Sequence, residues 1–255
     1  MDQPFDLGAL PHTLDGGLGA RARIGLIVLA TDQTIEHEWR LIFRGLDGVA
    51  LYQSRIWNDQ QITPDTLRQM EGRLADSAAV IMPGVPLTAV AFGCTSATMV
   101  IGEEGVFARL REARPEARPT TPITAAFAAF RAFGARRLAV LTPYRADVNA
   151  TVRRYIEARG FEVPVMGSFD EEDDHRAARI AVASIRDAAI GLGRDPRVEA
   201  VFVACTSLRV AEAAVEIEAA LGKPVTSSNH AMAWHVLRLA GIADPLPRWG
   251  RLFAG

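Results

Sequence analysis

The sequence predicts an α/β protein of two pseudo-symmetric lobes, each a parallel sheet flanked by helices, with a cleft between them. Short, β-branched apolar runs alternate with helical patterns along the chain, as parallel sheets require. The run Leu26-Ile-Val-Leu-Ala-Thr31 returns as Arg137-Leu-Ala-Val-Leu-Thr142, at an offset of 111 residues. Val90-Ala-Phe-Gly-Cys94-Thr95-Ser96 returns as Val201-Phe-Val-Ala-Cys205-Thr206-Ser207, again at 111. A third echo, Arg118 to Ala126 with Lys223 to Ala231, has an offset of about 105. Two matches at one offset mark a tandem duplication. Ligands of such sheets bind at the carboxyl ends of the strands, so the duplication brings two equivalent strand ends to one cleft.

The elements follow in order. Ile24 to Leu29 has no alternation, as expected of a strand buried on both faces. Thr34 then precedes an amphipathic helix with Glu36 and Glu38 in its first turn, running to about Gly45. Val49 to Ile56 reads as the second strand. Thr63-Pro64 supplies an N-cap and a first-turn proline for a helix to about Met82. Leu87 to Phe92 is the third strand, followed by a helix from Cys94-Thr95-Ser96 to about Ala113. The second half repeats the plan, and a last helix, Ser228 to about Ala240, crosses back to pack on the first lobe. The expected division is an arm at 1–23, a first lobe of 24–118 plus 228–255, and a second lobe of 119–227.

Composition excludes several classes of function. The 255 residues are 49% hydrophobic with a net charge of −2, enough for a large core and no attraction to nucleic acid or anionic membrane. Ala78 to Gly102 carries no charge, but Pro83, Gly84, Pro86 and Gly93 interrupt it, so a buried strand between turns accounts for it better than a membrane span. The first residues lack a basic start followed by an apolar run and read as an arm ordered against another subunit, not a signal peptide. Two cysteines are few for a secreted chain of this size, which points to the cytoplasm. The five histidines have no metal-ligand spacing, and no glycine-rich phosphate loop is present. Neither metal nor nucleotide is expected.

The chemistry concentrates at the two cysteines. Cys94 and Cys205 each follow a strand and are read as opening a helix, where free N–H groups and the helix dipole lower a thiol pKa. Thr95, Ser96, Thr206 and Ser207 add hydroxyl and amide donors suited to a carboxylate, or to the enediolate formed when the neighbouring carbon loses a proton. A lone cysteine after a strand is usually just a small buried residue. The repeat shifts that balance, because these two occupy equivalent positions and are the only two in the chain.

These motifs, with Leu141-Thr-Pro-Tyr144 and Val148-Asn149, resemble the aspartate/glutamate racemase superfamily, and within it the maleate cis–trans isomerase and arylmalonate decarboxylase branch. Thr206-Ser207 after the second cysteine departs from the Thr-His or Thr-Glu usual in the amino-acid racemases. Ala30 to Glu38, Ser96 to Glu104 and Thr226 to His235 resemble more narrowly the ectoine-utilisation protein A group. The resemblance implies catalysis without cofactor, with Cys94 and Cys205 as catalytic residues and Tyr144 bonding the carboxylate or its enediolate. Asn149 is implied as a neighbour of that site, more as a support of the tyrosine loop than as a substrate contact. Where the isomerases carry asparagines that bind the carboxylates of maleate, this chain has Asp32 and, in a less secure alignment, Asp174. Carboxylates there would repel an anion, so the distal end of the substrate is expected to be neutral or cationic. The plain alternative for Asp174 is a solvated acidic loop, Asp170 to Asp174.

The expected function is an isomerase or racemase acting beside a small carboxylate from ectoine or hydroxyectoine breakdown. The rival chemistry is maleate-type isomerisation through a covalent Cys94 adduct. The rival class is a ligand-binding protein that keeps the fold without turnover. The superfamily also implies a homo-oligomer.

Overall fold

The computed structural model describes residues 7–59, 63–171 and 173–255. Its eight strands form two four-stranded parallel sheets. The first is ordered β2-β1-β3-β4, from β1 (Ala22–Leu29), β2 (Val49–Ile56), β3 (Ala89–Phe92) and β4 (Arg118–Thr120). The second is ordered β6-β5-β7-β8, from β5 (Arg137–Thr142), β6 (Glu162–Ser168), β7 (Ala200–Val203) and β8 (Val225–Ser227). In each sheet the chain reverses its direction of winding at the first and third strands, the place where open α/β sheets bind ligands. Pro119 lies in β4, an edge strand, where a missing N–H does no harm.

The helices of the first half are α1 (Ile35–Phe43), α2 (Pro64–Gln69), α3 (Leu74–Ala79), α4 (Thr95–Ile101) and α5 (Glu103–Ala113). Those of the second are α6 (Pro122–Phe133), α7 (Ala146–Glu157), α8 (Asp174–Ala177), α9 (Val182–Gly193), α10 (Ala214–Leu221) and α11 (Ser228–Leu239). Two predicted helices are broken. The one expected from Thr63 to Met82 is interrupted by a 3-10 turn at Glu71–Arg73 and ends by Ala79. The one expected from Thr95 to Ala113 is divided at Gly102, whose φ of +91° no continuous helix accommodates.

The ladders also correct one repeat offset. Ile24 faces Ala89 and Leu138 faces Ala200, so the third strands correspond at 111 residues but the first strands at 114. A strand buried on both faces has no polar–apolar alternation to pin its register, so a sequence match can slide along it.

Two helices cross between the sheets. α6 follows β4 of the first sheet yet puts Ile123, Ala126, Phe127 and Phe130 into the core of the second, while Ala125 and Ala129 join the core of the first. α11 follows β8 of the second sheet and buries Ala231, Met232, Val236 and Leu237 in the first core, against Trp39 of α1. The two helices pack on each other, so the lobes share a helical seam. No helix among the described residues is long and apolar enough to cross a membrane.

His230, fully buried in the first turn of α11, fastens the C-terminal turns to this seam. Its Nε2 donates to the Trp249 carbonyl oxygen at 2.7 Å, its Nδ1 accepts from the Thr226 hydroxyl at 3.0 Å, and its ring meets Phe253 edge-on. Burial pushes its pKa down to about 4 from the ordinary 6.5. The folded protein therefore refuses a proton that the unfolded chain accepts. This contribution to stability is complete above pH 6.5 and is lost as pH falls towards 4, amounting to roughly 3 kcal/mol. Denaturant titrations from pH 8 to 4 should show this loss in the wild type, and the difference from His230→Gln should shrink by that amount as pH falls.

Candidate active site

The ends of β1, β2, β3, β5 and β7 meet at one cleft between the lobes. Asp32 follows β1, Asn58 and Asp59 follow β2, Cys94 follows β3, Tyr144 follows β5, and Cys205 follows β7. A pocket at this cleft is lined by Cys94, Thr95 and Ser96 from the first lobe and by Tyr144, Asp174, Cys205 and Thr206 from the second. Leu29, Asn58, Asp59, Thr66, Leu67 and Met70 complete its wall. Its volume is about 20 Å³, that of about one water site.

Cys94 is the N-cap of α4: its Sγ accepts from the Ala97 N–H at 3.4 Å and lies 3.7 Å from Ser96 Oγ. Gly93 before it packs tightly, since a Cβ there would sit 3.0 Å from the Ile27 carbonyl oxygen. Cys205 differs from expectation. No helix starts there; the chain makes a turn and reaches a 3-10 turn only at Ala211–Ala213. Its φ is +99°, a strained value for a residue with a side chain. Ser228 Oγ accepts its N–H at 3.0 Å, and its Sγ accepts from the Ser207 N–H at 3.4 Å.

The lowered thiol pKa expected from the sequence is also overturned. Burial pushes both thiols up, to about 12, and the anionic Asp174 adds to the shift at each. Donors to Sγ (Ala97 N–H and Ser96 at Cys94; Tyr144 and Ser207 at Cys205) work in the opposite direction but do not balance the lost solvation. Tyr144 is itself held well above its usual 10 by burial and by Cys205, and so remains a proton donor at neutral pH.

Among the residues singled out from the sequence, Cys94, Cys205, Thr95, Ser96, Tyr144, Asp174 and Thr206 meet in the pocket. Asp174 reaches it from the second lobe and accepts from Thr31 Oγ1 of the first at 3.1 Å, with Ser207 Oγ 3.5 Å from its other oxygen. Ser207 stands behind the wall, bonding Cys205 and Asp174. Asn149 does not line the pocket: it accepts from Thr142 Oγ1 at 2.5 Å and donates to the Tyr144 carbonyl oxygen at 2.8 Å, which shapes the tyrosine loop. Asp32 is not in the wall either. One of its oxygens accepts the Thr34 and Ile35 N–H groups at 2.7 and 2.9 Å, capping α1, and the other is buried with no hydrogen-bond partner. Burial raises its pKa.

Four residues that matter here were not read from the sequence as parts of a site. Glu38, buried in α1, accepts the Val210 and Ala211 N–H groups at 2.7 Å each and Asn229 Nδ2 at 2.8 Å, locking the segment after Cys205 to the first lobe. Ser228 touches both cysteine segments. Asn58 and Asp59 could have been found from the strand-end rule alone, since they directly follow β2. Nothing local marks Glu38, which reads as an ordinary first-turn acid. Among the described residues no group of three His, Cys, Asp or Glu is arranged to hold a metal ion.

Comparison with known proteins agrees with this architecture. A family model described as arylmalonate decarboxylase matches residues 47–253. The chain belongs to that family. The maleate isomerase of Pseudomonas putida is 25% identical over 244 residues, covering 91% of this chain and 97% of the relative. The arylmalonate decarboxylase of Bordetella bronchiseptica is 32% identical over 136 residues, 52% of this chain and 57% of the relative. The crystal structure of the maleate isomerase from Pseudomonas putida S16 matches with a TM-score of 0.84 at 24% identity, over 92% of this chain and 98% of that one. A cysteine-to-serine mutant of the Nocardia farcinica maleate cis-trans isomerase matches with a TM-score of 0.83 at 23% identity, over 91% and 98% of the two chains; it holds a covalently bound succinylcysteine intermediate.

Two outcomes follow from the site. Glu38→Ala orphans two buried N–H groups and should cost about 3 kcal/mol. At the sensitivity of chains this size, that is a fall in Tm of about 6–12 °C, read by thermal denaturation. Iodoacetamide labelling of Cys94 and Cys205, followed by peptide mass spectrometry, should accelerate about tenfold per pH unit up to at least pH 10, because the thiolate fraction grows that way below the pKa. Asp174→Asn should speed labelling of Cys205 at any fixed pH in that range, and a plateau by pH 8 would contradict the raised pKa.

Proposed function

We propose that the protein is a cofactor-independent isomerase that moves a proton beside a substrate carboxylate between Cys94 and Cys205, on a small carboxylate derived from ectoine or hydroxyectoine. One observation carries the reading: two thiols from equivalent strand ends line a single pocket whose other charged side chains are Asp59 and Asp174, with no lysine, arginine or histidine among the described lining residues. Such a pocket receives one carboxylate on neutral donors (the Thr95, Ser96 and Thr206 hydroxyls) and disfavours a second. The distal group then meets the carboxylate of Asp174, and must be neutral or cationic. Ectoine, with one carboxylate and a cationic amidinium, has that charge pattern.

The raised thiol pKa values fit this chemistry. A thiolate formed in the pocket is a strong base, matched to a weakly acidic carbon. Asp174 opposes that thiolate electrostatically. A substrate cation at Asp174 offsets the repulsion and makes the thiolate easier to form when substrate is bound. One thiolate takes the proton from the carbon beside the carboxylate, and the electron pair spreads into an enediolate held by the hydroxyl donors and Tyr144. The opposite thiol then gives its proton to the other face, leaving the product inverted and the protonation states of the two sulfurs exchanged.

The second reading is cis–trans isomerisation of a maleate-type diacid, with Cys94 adding to the alkene and leaving after rotation. The full-length likeness to maleate isomerases supports it. The Asp174 carboxylate in the pocket weighs against it, since it would oppose the second carboxylate of a dianion. A ligand-binding protein without turnover would have had no use for both thiols.

Incubation with ectoine, 5-hydroxyectoine and their ring-opened diamino acids in deuterated water, followed by proton NMR, tests the proposal. Exchange at the carbon beside the carboxylate is expected for at least one of them, falling by at least about 10²-fold in both Cys94→Ala and Cys205→Ala. Asp174→Asn should weaken the cationic substrate and improve maleate binding. Conversion of maleate with no exchange in the others would transfer the assignment to the second reading.

A further inference from the structure

We infer that Ser228 is a positioning residue that aims the Thr95 hydroxyl proton into the pocket, so that Thr95 meets the reacting carboxylate as a donor. Ser228 is fully buried at the start of α11, and its oxygen bonds both cysteine segments: it accepts the Cys205 N–H at 3.0 Å and lies 2.9 Å from Thr95 Oγ1. Cys205 N–H can only donate, so that contact uses a lone pair of Ser228 and leaves its proton free. Between the two hydroxyls either atom could donate. If Thr95 donated, the Ser228 proton would be stranded in a buried site, at the full desolvation penalty of an unmade bond. If Ser228 donates, the stranded proton is that of Thr95, and Thr95 lines the pocket, where a substrate oxygen or water can accept it.

The second polarity is therefore the favoured one, and the chain runs from Cys205 N–H through Ser228 O–H to Thr95 O–H and out to the ligand. It links the backbone of the second cysteine to an oxyanion donor beside the first, across the lobe boundary. The strained backbone at Cys205 gives the chain its fixed starting point. No bond forms or breaks along it; only the hydroxyl rotors are set. Its kinetic consequence rests on the proposal above, that negative charge develops on a carboxylate in this pocket, whereas the proton positions do not depend on it.

Neutron diffraction from a perdeuterated crystal reads those positions directly. A deuteron on Ser228 directed at Thr95 Oγ1, with that of Thr95 directed into the pocket, is the expected result; a Thr95 deuteron directed at Ser228 overturns the inference. In the exchange assay, Ser228→Ala and Thr95→Val should each lower kcat by about 10²-fold, the usual cost of one oxyanion donor, with KM changing less. The double variant should be no slower than the worse single one, and Ser228→Thr should restore most of the rate. Multiplying effects in the double variant, or a loss that follows thermal stability alone, would reduce Ser228 to a packing role. If the wild type exchanges none of the substrates, the functional reading fails and the neutron map still decides this one.

Discussion

The cleft depends on one buried carboxylate. Glu38 sits in the first lobe, but its two oxygens are spent on Val210, Ala211 and Asn229, all beyond the second lobe's third strand. Burying a carboxylate is costly, and its pKa is raised accordingly; three donors make the burial tolerable. What this secures is the segment after Cys205. No helix there supplies a rigid backbone, so Thr206 is held instead from outside: its carbonyl accepts from Thr34 Oγ1 and from Asn229 Nδ2. Interlobe polar contacts do for Cys205 what the first turn of α4 does for Cys94.

That asymmetry is the useful departure from duplication. Two copies of one α/β unit place two thiols at matching strand ends, but the copies then diverge. Cys94 caps a helix in relaxed extended backbone, whereas Cys205 occupies a positive-φ turn with Tyr144 against its sulfur. The crossing of α6 and α11 between sheets explains why the divergence leaves the cleft intact. Each lobe's core contains a helix delivered by the other, so the lobes cannot separate without opening both cores.

Electrostatics sets the chemistry the cleft can perform. Moving a thiol from 9 to about 12 disfavours its anion by about 4 kcal/mol more than in an ordinary solvated thiol. The pocket supplies neutral donors and carboxylates, and no described cation to stabilise a resting thiolate. Charge must therefore arrive with the ligand, or the thiolate must form only as the proton transfer begins. Either way the two buried thiols are held neutral by their own surroundings.

Much of this was legible in local pattern. The parallel-sheet class, the duplication and the positions of both cysteines followed from apolar runs, strand-end placement and a repeated Cys-Thr-Ser, because each is written in a few consecutive residues. The broken helices and the register of the first strands were not, since Gly102 and an evenly apolar run leave the periodicity ambiguous. Asp32 and Asp174 both aligned with carboxylate-binding asparagines of the isomerases, yet one caps α1 behind the wall and the other lines the pocket with both thiols. Only packing could separate them, because which way a carboxylate points is decided by the donors that come within reach. The same holds for the thiol pKa values: the sequence by itself determined that two thiols stand at equivalent strand ends, and the tertiary structure decided their protonation, because desolvation depends on everything packed around a sulfur and not on its neighbours in the chain.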